Sequence, residues 1–307
     1  MFNFIARRVL EAIPTLLILI TVSFFLMRFA PGSPFSIEGN MPPEVRANIE
    51  AKYGFDKPVT QQYWSYLKGL LHGDLGPSFV YKDFSVNDLV SQALPVSVKI
   101  GACAFVLAVL FGVLLGTIAG LKQNSWIDYT VMSTAMAGVA IPSFVLAPLL
   151  VLIFSIGLKW LPAGGWHGGG AKYMVLPVIG MMMYYIAAVA RIMRGSMIEV
   201  MNSNFIRTAR AKGLSTPYIV LHHALRPALL PVISYLGPVL VGIVTGSVVI
   251  ETIFGLPGIG QLFVNGALNR DYSMVLGLTI LVGTLTITFN AVVDILYAVI
   301  DPKIRYS

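Results

Sequence analysis

Residue patterns typical of catalysis or metal binding are missing from this 307-residue sequence. It lacks the serine-hydrolase pattern GxSxG, the metalloprotease pattern HExxH, paired cysteine ligands and the Walker A pattern GxxxxGK[ST] that binds ATP. The adjacent His222 and His223 point to different sides of a helix and cannot chelate one metal ion together. His72 and His167 are isolated in loops. We therefore predict that the chain is not an enzyme, has no metal site and binds no cofactor, ATP included.

A basic segment, NFIRTARAKGLSTPYIVLHHALRP, is the strongest candidate for a specific surface. Ser203 or Asn204 can cap a first helix, and Gly213 stands where a residue in the left-handed conformation ends one. The apolar face of this helix is predicted to consist of Phe205, Ile206 and Ala209, with Arg207, Arg210 and Lys212 pointing away from it. The segment is too short and too charged to cross a membrane.

A second helix follows the glycine, capped by Ser215 or Thr216 and with Pro217 at its first position. We call residues 204–225, the two helices and the glycine between them, the elbow. Two explanations for it remain open. A basic amphipathic segment can lie on anionic lipid headgroups. A helical hairpin with defined caps has a fixed shape, which is what a groove on another protein requires.

The rest of the chain is that of an all-α integral membrane protein. Apolar residues make up 56% of it and charged residues only 11%, which is too little charge for a soluble surface. A helix needs about 20 apolar residues to cross the hydrocarbon core. Six uncharged runs are therefore predicted to be six transmembrane helices: Ala12–Met27, Ile100–Leu121, Tyr129–Leu158, Tyr173–Ala190, Pro227–Ile250 and Tyr272–Val293.

The distribution of Lys and Arg predicts the orientation of these helices. With both termini cytoplasmic, most basic residues of the short loops lie inside, as the positive-inside rule requires. The net charge of +7 reflects this bias and indicates no nucleic-acid partner. The first helix could be a cleaved signal peptide, but its long apolar run ends without an A-x-A-like site, so we interpret it as an anchor.

The organisation predicted along the chain has three parts. Residues 1–30 are the N-terminal tail and first transmembrane helix. Residues 31–93 are an extracytoplasmic insertion containing two short helices, in PPEVRANIEAKYG and TQQYWSYLKGLLHG, and it is either a solvated loop or a surface for an extracytoplasmic partner. Residues 94–307 are the transmembrane core, with a cytoplasmic loop at 195–227.

Glycine spacing predicts where helices approach each other most closely. Gly112, Gly116 and Gly120 form overlapping G-x-x-x-G repeats, which pack against another helix of this chain or of another subunit. Gly242 and Gly246 form a further repeat. The prolines expected to interrupt helices are Pro142, Pro148, Pro177, Pro231 and Pro238. Three further residues are interpreted from their positions. Cys103 is predicted to be a small packing residue, and Glu251 to lie at the membrane interface. Asp294, a carboxylate within the last predicted span, is either a structural hydrogen-bonding group, which its place near the span's end favours, or a functional one.

Several motifs in order along the chain resemble one family. RTARAKGL followed by HALRPALLP is similar to the EAA loop of permease subunits in type I ABC importers. ARIMRGSMIEV, SVVIETIFGLPGIGQLF and the closing DPKIRY are similar to other segments of the same family. The resemblance covers the whole chain. One departure is that Arg207, Thr208 and Ala209 stand where the family has Glu-Ala-Ala.

The resemblance implies a function that the residues alone do not. It implies a pore-forming subunit of an ATP-driven importer in the bacterial cytoplasmic (inner) membrane, with oligopeptides as the substrate. Dipeptide, murein-peptide and nickel permeases share much of the signature and stay open, as does a self-sufficient secondary carrier. The implied partners are a second homologous permease, cytoplasmic ATPase subunits that bind ATP, an extracytoplasmic peptide-binding protein and membrane lipids. The residues implied to contact the ATPase are Phe205, Arg207, Thr208, Ala209, Lys212 and Gly213; the sequence does not identify the substrate pathway.

Overall fold

The computed structural model describes residues 2–29, 43–52, 54–244 and 248–300. Within these ranges the chain is helical, and the only β-type pairing is an isolated bridge between Pro77 and Ser85. The helices are α1 (Phe2–Phe29), α2 (Pro43–Lys52), α3 (Val59–Leu71), α4 (Val86–Leu121), α5 (Trp126–Ala140), α6 (Ser143–Leu150), α7 (Ala171–Met201), α8 (Asn204–Ala211), α9 (Thr216–Ile219), α10 (Leu225–Val244), α11 (Val248–Phe254), α12 (Ile259–Leu268) and α13 (Tyr272–Ile300). Short π-helical segments follow α6 at Val151–Gly157 and α9 at Val220–Ala224, and a 3-10 turn covers His167–Gly169.

The all-helical membrane architecture predicted from the apolar runs is confirmed. By length and composition, the described helices long enough to cross a membrane are five: Leu10–Phe29, Val86–Leu121, Ala171–Met201, Thr216–Gly237 and Tyr272–Val293. Two bent helix pairs, Trp126–Ala140 with Ser143–Gly157 and Val248–Phe254 with Ile259–Leu268, raise the number to as many as seven. The count of six and the orientation stay predictions.

One of the predicted spans differs from the observed helices. The predicted third span is not one straight helix, because α5 and α6 meet at 103° beside Pro142. The described part of α10 runs to Val244 and Ile250 lies in α11, while residues 245–247 of the predicted fifth span lie outside the described residues. Pro148 and Pro177 lie inside helices without ending them. Gly246 and the C-terminal DPKIRY lie outside the described residues, as do the contacts of the Asp294 side chain.

The most extensive helix packing among the described residues is between α4 and α7, and glycines make it possible. A Cβ added to Gly116 would lie 2.5 Å from the carbonyl oxygen of Ala190, and one added to Gly120 would lie 2.9 Å from the Cβ of Met197. Gly112 approaches Val189 of α7 in the same way, with 2.7 Å between an added Cβ and the valine Cβ. The glycine repeat of α4 therefore packs within this chain.

The predicted extracytoplasmic insertion contains the two expected helices, α2 and α3. Tyr63, Tyr66 and Leu70 of α3 pack against Phe24 of α1, and the Tyr63 hydroxyl lies 2.6 Å from that of Thr21. The insertion is thus attached to α1. Its predicted end at residue 93 lies inside a helix, because α4 already begins at Val86, where Ser85 and Asp88 form a capping box.

Cys103 lies on α4 but is exposed, so the prediction that it is a small packing residue is wrong. The buried residues of α4 include Gly101, which approaches Ile243 of α10, and the three glycines that approach α7.

Candidate functional site

The first helix of the elbow forms where its sequence predicted. It is α8, and Ser203 occupies the N-cap position with an extended backbone at φ −69° and ψ 157°. The Ser203 side chain makes no capping hydrogen bond, but its carbonyl accepts the first helical bond from the N–H of Arg207 at 3.2 Å. Of the two predicted caps, the structure therefore selects Ser203 over Asn204.

Gly213 ends α8 in the left-handed conformation, with φ +77°. Its N–H donates to the carbonyl of Arg210 at 2.9 Å, and the N–H of Leu214 donates to the carbonyl of Ala209 at 3.3 Å. This pair of bonds is the Schellman motif, which uses the last free carbonyls of a helix. A Cβ on Gly213 would meet no heavy atom within 4 Å, so the backbone conformation and not lack of space requires glycine here.

The second half of the elbow differs from the prediction. Ser215 is the N-cap of α9, which places Pro217 at the second helical position instead of the first. Beyond α9 the helix does not end: the π-helical segment Val220–Ala224 joins it to α10. The elbow is therefore a short helix that leads directly into a helix long enough to cross the membrane.

Burial separates the residues of α8 into two sets. Ile206 is fully buried and Ala209 nearly so, and both pack in one cluster with residues of α7 and α9. Phe205 is 51% exposed, so the prediction that it shares the apolar face is wrong. Successive residues are about 100° apart around a helix, and the Ile206 side faces α7. Ala209 therefore packs on the buried side of α8 and is not part of its outer surface.

The outer surface of the elbow contains one aromatic ring surrounded by basic and small residues. We call it the elbow surface, and it consists of Phe205, Arg207, Thr208, Arg210, Lys212 and Gly213. In the part of the chain that the structure describes, Arg207, Arg210 and Lys212 form no ion pair. An exposed phenyl ring beside unpaired cations suits a partner surface that offers an apolar pocket and acidic groups.

A partly buried ion pair that the sequence did not reveal joins α5 to α7. Arg194 of α7 donates from Nε to Asp128 Oδ1 at 2.6 Å and from Nη2 to Oδ2 at 2.7 Å. Asp128 of α5 is only 1% exposed and also accepts from the backbone N–H of Asn124 at 3.0 Å. The one local signal was Ser125, which caps α5 three residues before the aspartate. The pair holds the loop between α4 and α5 against α7.

The histidines show no metal-binding arrangement. His222 stacks on Tyr218 with ring centroids 4.1 Å apart, and His223 contacts the same ring edge-on. Among the described residues, no group of three His, Cys, Asp or Glu side chains could hold a metal ion.

Comparison with known proteins places the whole chain in one family. Residues 112–306 match the family described as "Binding-protein-dependent transport system inner membrane component", and residues 1–100 match the N-terminal region described for the same systems. The chain is 70% identical over 306 residues to the oligopeptide transport system permease protein OppB of Escherichia coli K12, and each chain is covered to 100%. It is 68% identical over 306 residues to OppB of Haemophilus influenzae, again with 100% of each chain covered.

A more distant relative in sequence and a solved structure of similar fold agree with this assignment. The dipeptide transport system permease protein DppB of Bacillus subtilis is 42% identical, with 99% of this chain and 98% of that protein covered. The fold is similar to a chain of the MetNI methionine ABC transporter in an inward-facing conformation, with a TM-score of 0.54 and 17% identity over 67% of this chain and 95% of that one. The protein therefore belongs to the binding-protein-dependent inner membrane components, the permeases of type I ABC importers, and is a multi-pass protein of the inner membrane.

Proposed function

We propose that this chain is a pore-forming permease subunit of an ABC importer that moves oligopeptides across the cytoplasmic membrane. The observation that carries the proposal is 70% identity, without a gap in coverage, to a permease named for oligopeptide transport. The permease named for dipeptide transport is only 42% identical, which favours oligopeptides over dipeptides. Murein peptides, nickel and a self-sufficient carrier have no comparable support.

The proposal includes partners that supply what this chain lacks. ATP is bound and hydrolysed by cytoplasmic ATPase subunits, since the sequence has no Walker A pattern. A second homologous permease completes the pathway, and an extracytoplasmic peptide-binding protein delivers the substrate. Both termini lie in the cytoplasm, which places the elbow on the side of the ATPase.

The elbow surface is the part of this chain that contacts the ATPase. Three features support this role: the Schellman motif that fixes the end of α8, the exposed ring of Phe205, and a base formed by buried Ile206 and Ala209. Attachment to lipid headgroups needs the cations but not the fixed shape. Binding in a groove on another protein depends more on the fixed shape of the elbow than on its cations.

Reconstitution tests the function as a whole. The complete importer in liposomes should take up a tripeptide when ATP is supplied on the ATPase side. This chain alone should move no peptide with ATP or with an ion gradient. Gradient-driven uptake by the single chain would refute the proposal.

Substitution of Gly213 tests the elbow surface. Gly213→Val forces a β-branched residue to φ +77°, at a cost of about 1 kcal/mol or more of local strain, and should displace α8 from its partner. The matched control is Gly195→Val on α7, where an added Cβ also meets nothing within 4 Å but the backbone is helical. Peptide uptake and recovery of ATPase with the purified permease are measured at equal membrane levels.

The expected order of effects separates the two explanations of the elbow. For a protein partner, Gly213→Val lowers uptake and ATPase recovery more than Arg207→Gln or Arg210→Gln. For attachment to lipid the order reverses, because each basic residue near an anionic surface contributes roughly 1 kcal/mol. Normal uptake and normal ATPase recovery with Gly213→Val would rule out the coupling role.

A further inference from the structure

A cavity of about 460 Å³ opens where α5 and α6 meet at 103°. The break has a local cause. Pro142 has no N–H, so it cannot continue the hydrogen bonding of α5, and Ile141 before it is extended at φ −87° and ψ 113°. The new helix starts beyond this point, with the N–H groups of Val145 and Leu146 both donating to the carbonyl of Pro142 at 2.9 and 3.0 Å. The two helices thus diverge and leave a space at the corner.

The break leaves backbone polar groups on the residues that line the cavity. The carbonyls of Gly138 and Val139 and the N–H groups of Ser143 and Phe144 form no hydrogen bond with the described residues. All four residues line the cavity. Irregular backbone within a membrane protein is tolerated where it lines a water-filled space or meets polar partners. The corner therefore presents acceptors from one helix and donors from the next.

Two tyrosines of α7 form the facing wall. Tyr184 and Tyr185 both line the cavity, with their rings edge to face and 5.3 Å between centroids. Among the described residues, neither hydroxyl has a hydrogen-bond partner. The Tyr185 hydroxyl lies over Gly242 of α10, 2.6 Å from where a Cβ would be, so this glycine provides the room for it. Each hydroxyl can donate and accept.

The lining contains no charged side chain. Its polar groups are neutral, include both donors and acceptors, and lie beside aromatic faces. A peptide main chain presents one N–H and one C=O per residue and has the complementary requirements. The volume falls in the range of about 300–1,000 Å³ that is typical of small-ligand sites. A lipid acyl chain in this space would leave the backbone groups and both hydroxyls without partners, which is unfavourable in an apolar medium.

We propose that this space, the break cavity, binds the main chain of the peptide during its passage through the permease. The inference rests on the proposed function and adds to it a site and a mode of recognition. Because main-chain groups are common to all peptides and the lining is uncharged, the break cavity does not discriminate between charged and neutral side chains. It therefore suits an importer whose substrates differ in sequence.

Protection of a cysteine from alkylation tests the site. The experiment uses membranes containing the complete importer, with Cys103→Ala in this chain and one new cysteine. Ser143→Cys places the thiol in the break cavity. The matched control, Leu149→Cys, is on the same helix and outside the lining. The rate of reaction with N-ethylmaleimide is measured by mass spectrometry of this chain, with and without saturating trialanine during ATP-driven transport.

The expected result is protection that depends on the peptide main chain. Trialanine should slow alkylation of Ser143→Cys about five-fold, equivalent to roughly 1 kcal/mol, and leave Leu149→Cys unchanged. Trialanine with methylated amide nitrogens should protect less, because it has lost its N–H donors. Ala-Glu-Ala and Ala-Lys-Ala should protect as well as trialanine.

Three results would overturn the inference. The first is equal alkylation of Ser143→Cys with and without trialanine, in an importer that takes up the peptide. The second is strong protection by only one of the two charged peptides, which would show recognition of side chains. The third is a wild-type importer that takes up no trialanine, which would overturn the proposed function and this inference with it.

Discussion

Two places where the chain turns through a right angle resemble each other in shape and differ in how their polar groups are satisfied. The bend between α11 and α12 is 89°, and the break between α5 and α6 is 103°. At the bend, the carboxylate of Glu251 accepts from the Ser97 hydroxyl at 2.6 Å and from the N–H groups of Gly260 and Gln261 at 2.8 and 3.3 Å. At the break, the corresponding groups face a cavity.

The difference shows that the free backbone N–H and C=O groups at a turn between apolar helices need hydrogen-bond partners. These partners can come from the chain itself, as at the bend, or from outside it, as we propose for the break. Ser97 completes the bend by accepting from the N–H of Ile259 at 2.9 Å. The carboxylate of Glu251 thus sits at the N-terminus of α12, where negative charge is favourable. The sequence predicted that Glu251 lies at the membrane interface, which stays a prediction; the structure adds that only 1% of the residue is exposed and that its carboxylate is bonded within the protein. The bend is a closed structural joint, whereas the break is open to a ligand.

Removal of the carboxylate should have the largest effect. Glu251→Ala leaves the hydroxyl of Ser97 and the N–H groups of Gly260 and Gln261 without their acceptor, at about 1–3 kcal/mol for each buried group. The midpoint of thermal unfolding of the purified importer should fall strongly. Glu199→Ala, which truncates an exposed glutamate near the end of α7, is the control and should change little. If the midpoint is unchanged with Glu251→Ala, the carboxylate does not hold the bend together and the contrast with the break is wrong.

Glycine-to-alanine substitutions should distinguish the two turns by a smaller difference in stability. A Cβ on Gly258 would lie 2.5 Å from both the Glu251 carboxyl carbon and the Ser97 Oγ, so Gly258→Ala should cost about 1–3 kcal/mol. At the break, a Cβ on Gly138 would lie 3.3 Å from the Met183 carbonyl oxygen. Gly138→Ala also gains roughly 0.5–1 kcal/mol in helix stability and should be near neutral. If Gly258→Ala and Gly138→Ala lower the midpoint of thermal unfolding equally, the break is packed as tightly as the bend.

The smallest effect is expected for a hydroxyl at the break. Tyr185→Phe removes a group that has no hydrogen-bond partner, so the free energy of unfolding should change by less than about 0.5 kcal/mol. Tyr63→Phe is the matched control, because it loses the 2.6 Å contact with Thr21 and should cost about 0.5–1.5 kcal/mol. If Tyr185→Phe destabilises the protein more than Tyr63→Phe, the Tyr185 hydroxyl is bonded within the protein and the break is not open.

Local sequence was enough to predict the features that depend on neighbouring residues. Apolar runs predicted a multi-pass helical protein, because crossing lipid imposes a length and a composition on each helix. The end of α8 was predicted from Gly213 alone, since the Schellman motif needs a left-handed residue at that position. Pro142 was expected to interrupt a helix because it lacks an N–H, and it stands at the break.

Only the tertiary structure decided which groups meet across the chain. The bonding of Glu251 was not predicted, because α4 brings Ser97, 154 positions away, within 2.6 Å of its carboxylate. Asp128 and Arg194 pair across α5 and α7, and Phe205 is exposed because α7 takes the Ile206 side of α8. In a sequence this apolar, hydrophobic pattern does not distinguish a face toward lipid from one toward another helix. Burial here is set by which helices pack together, and that is decided by contacts between distant residues.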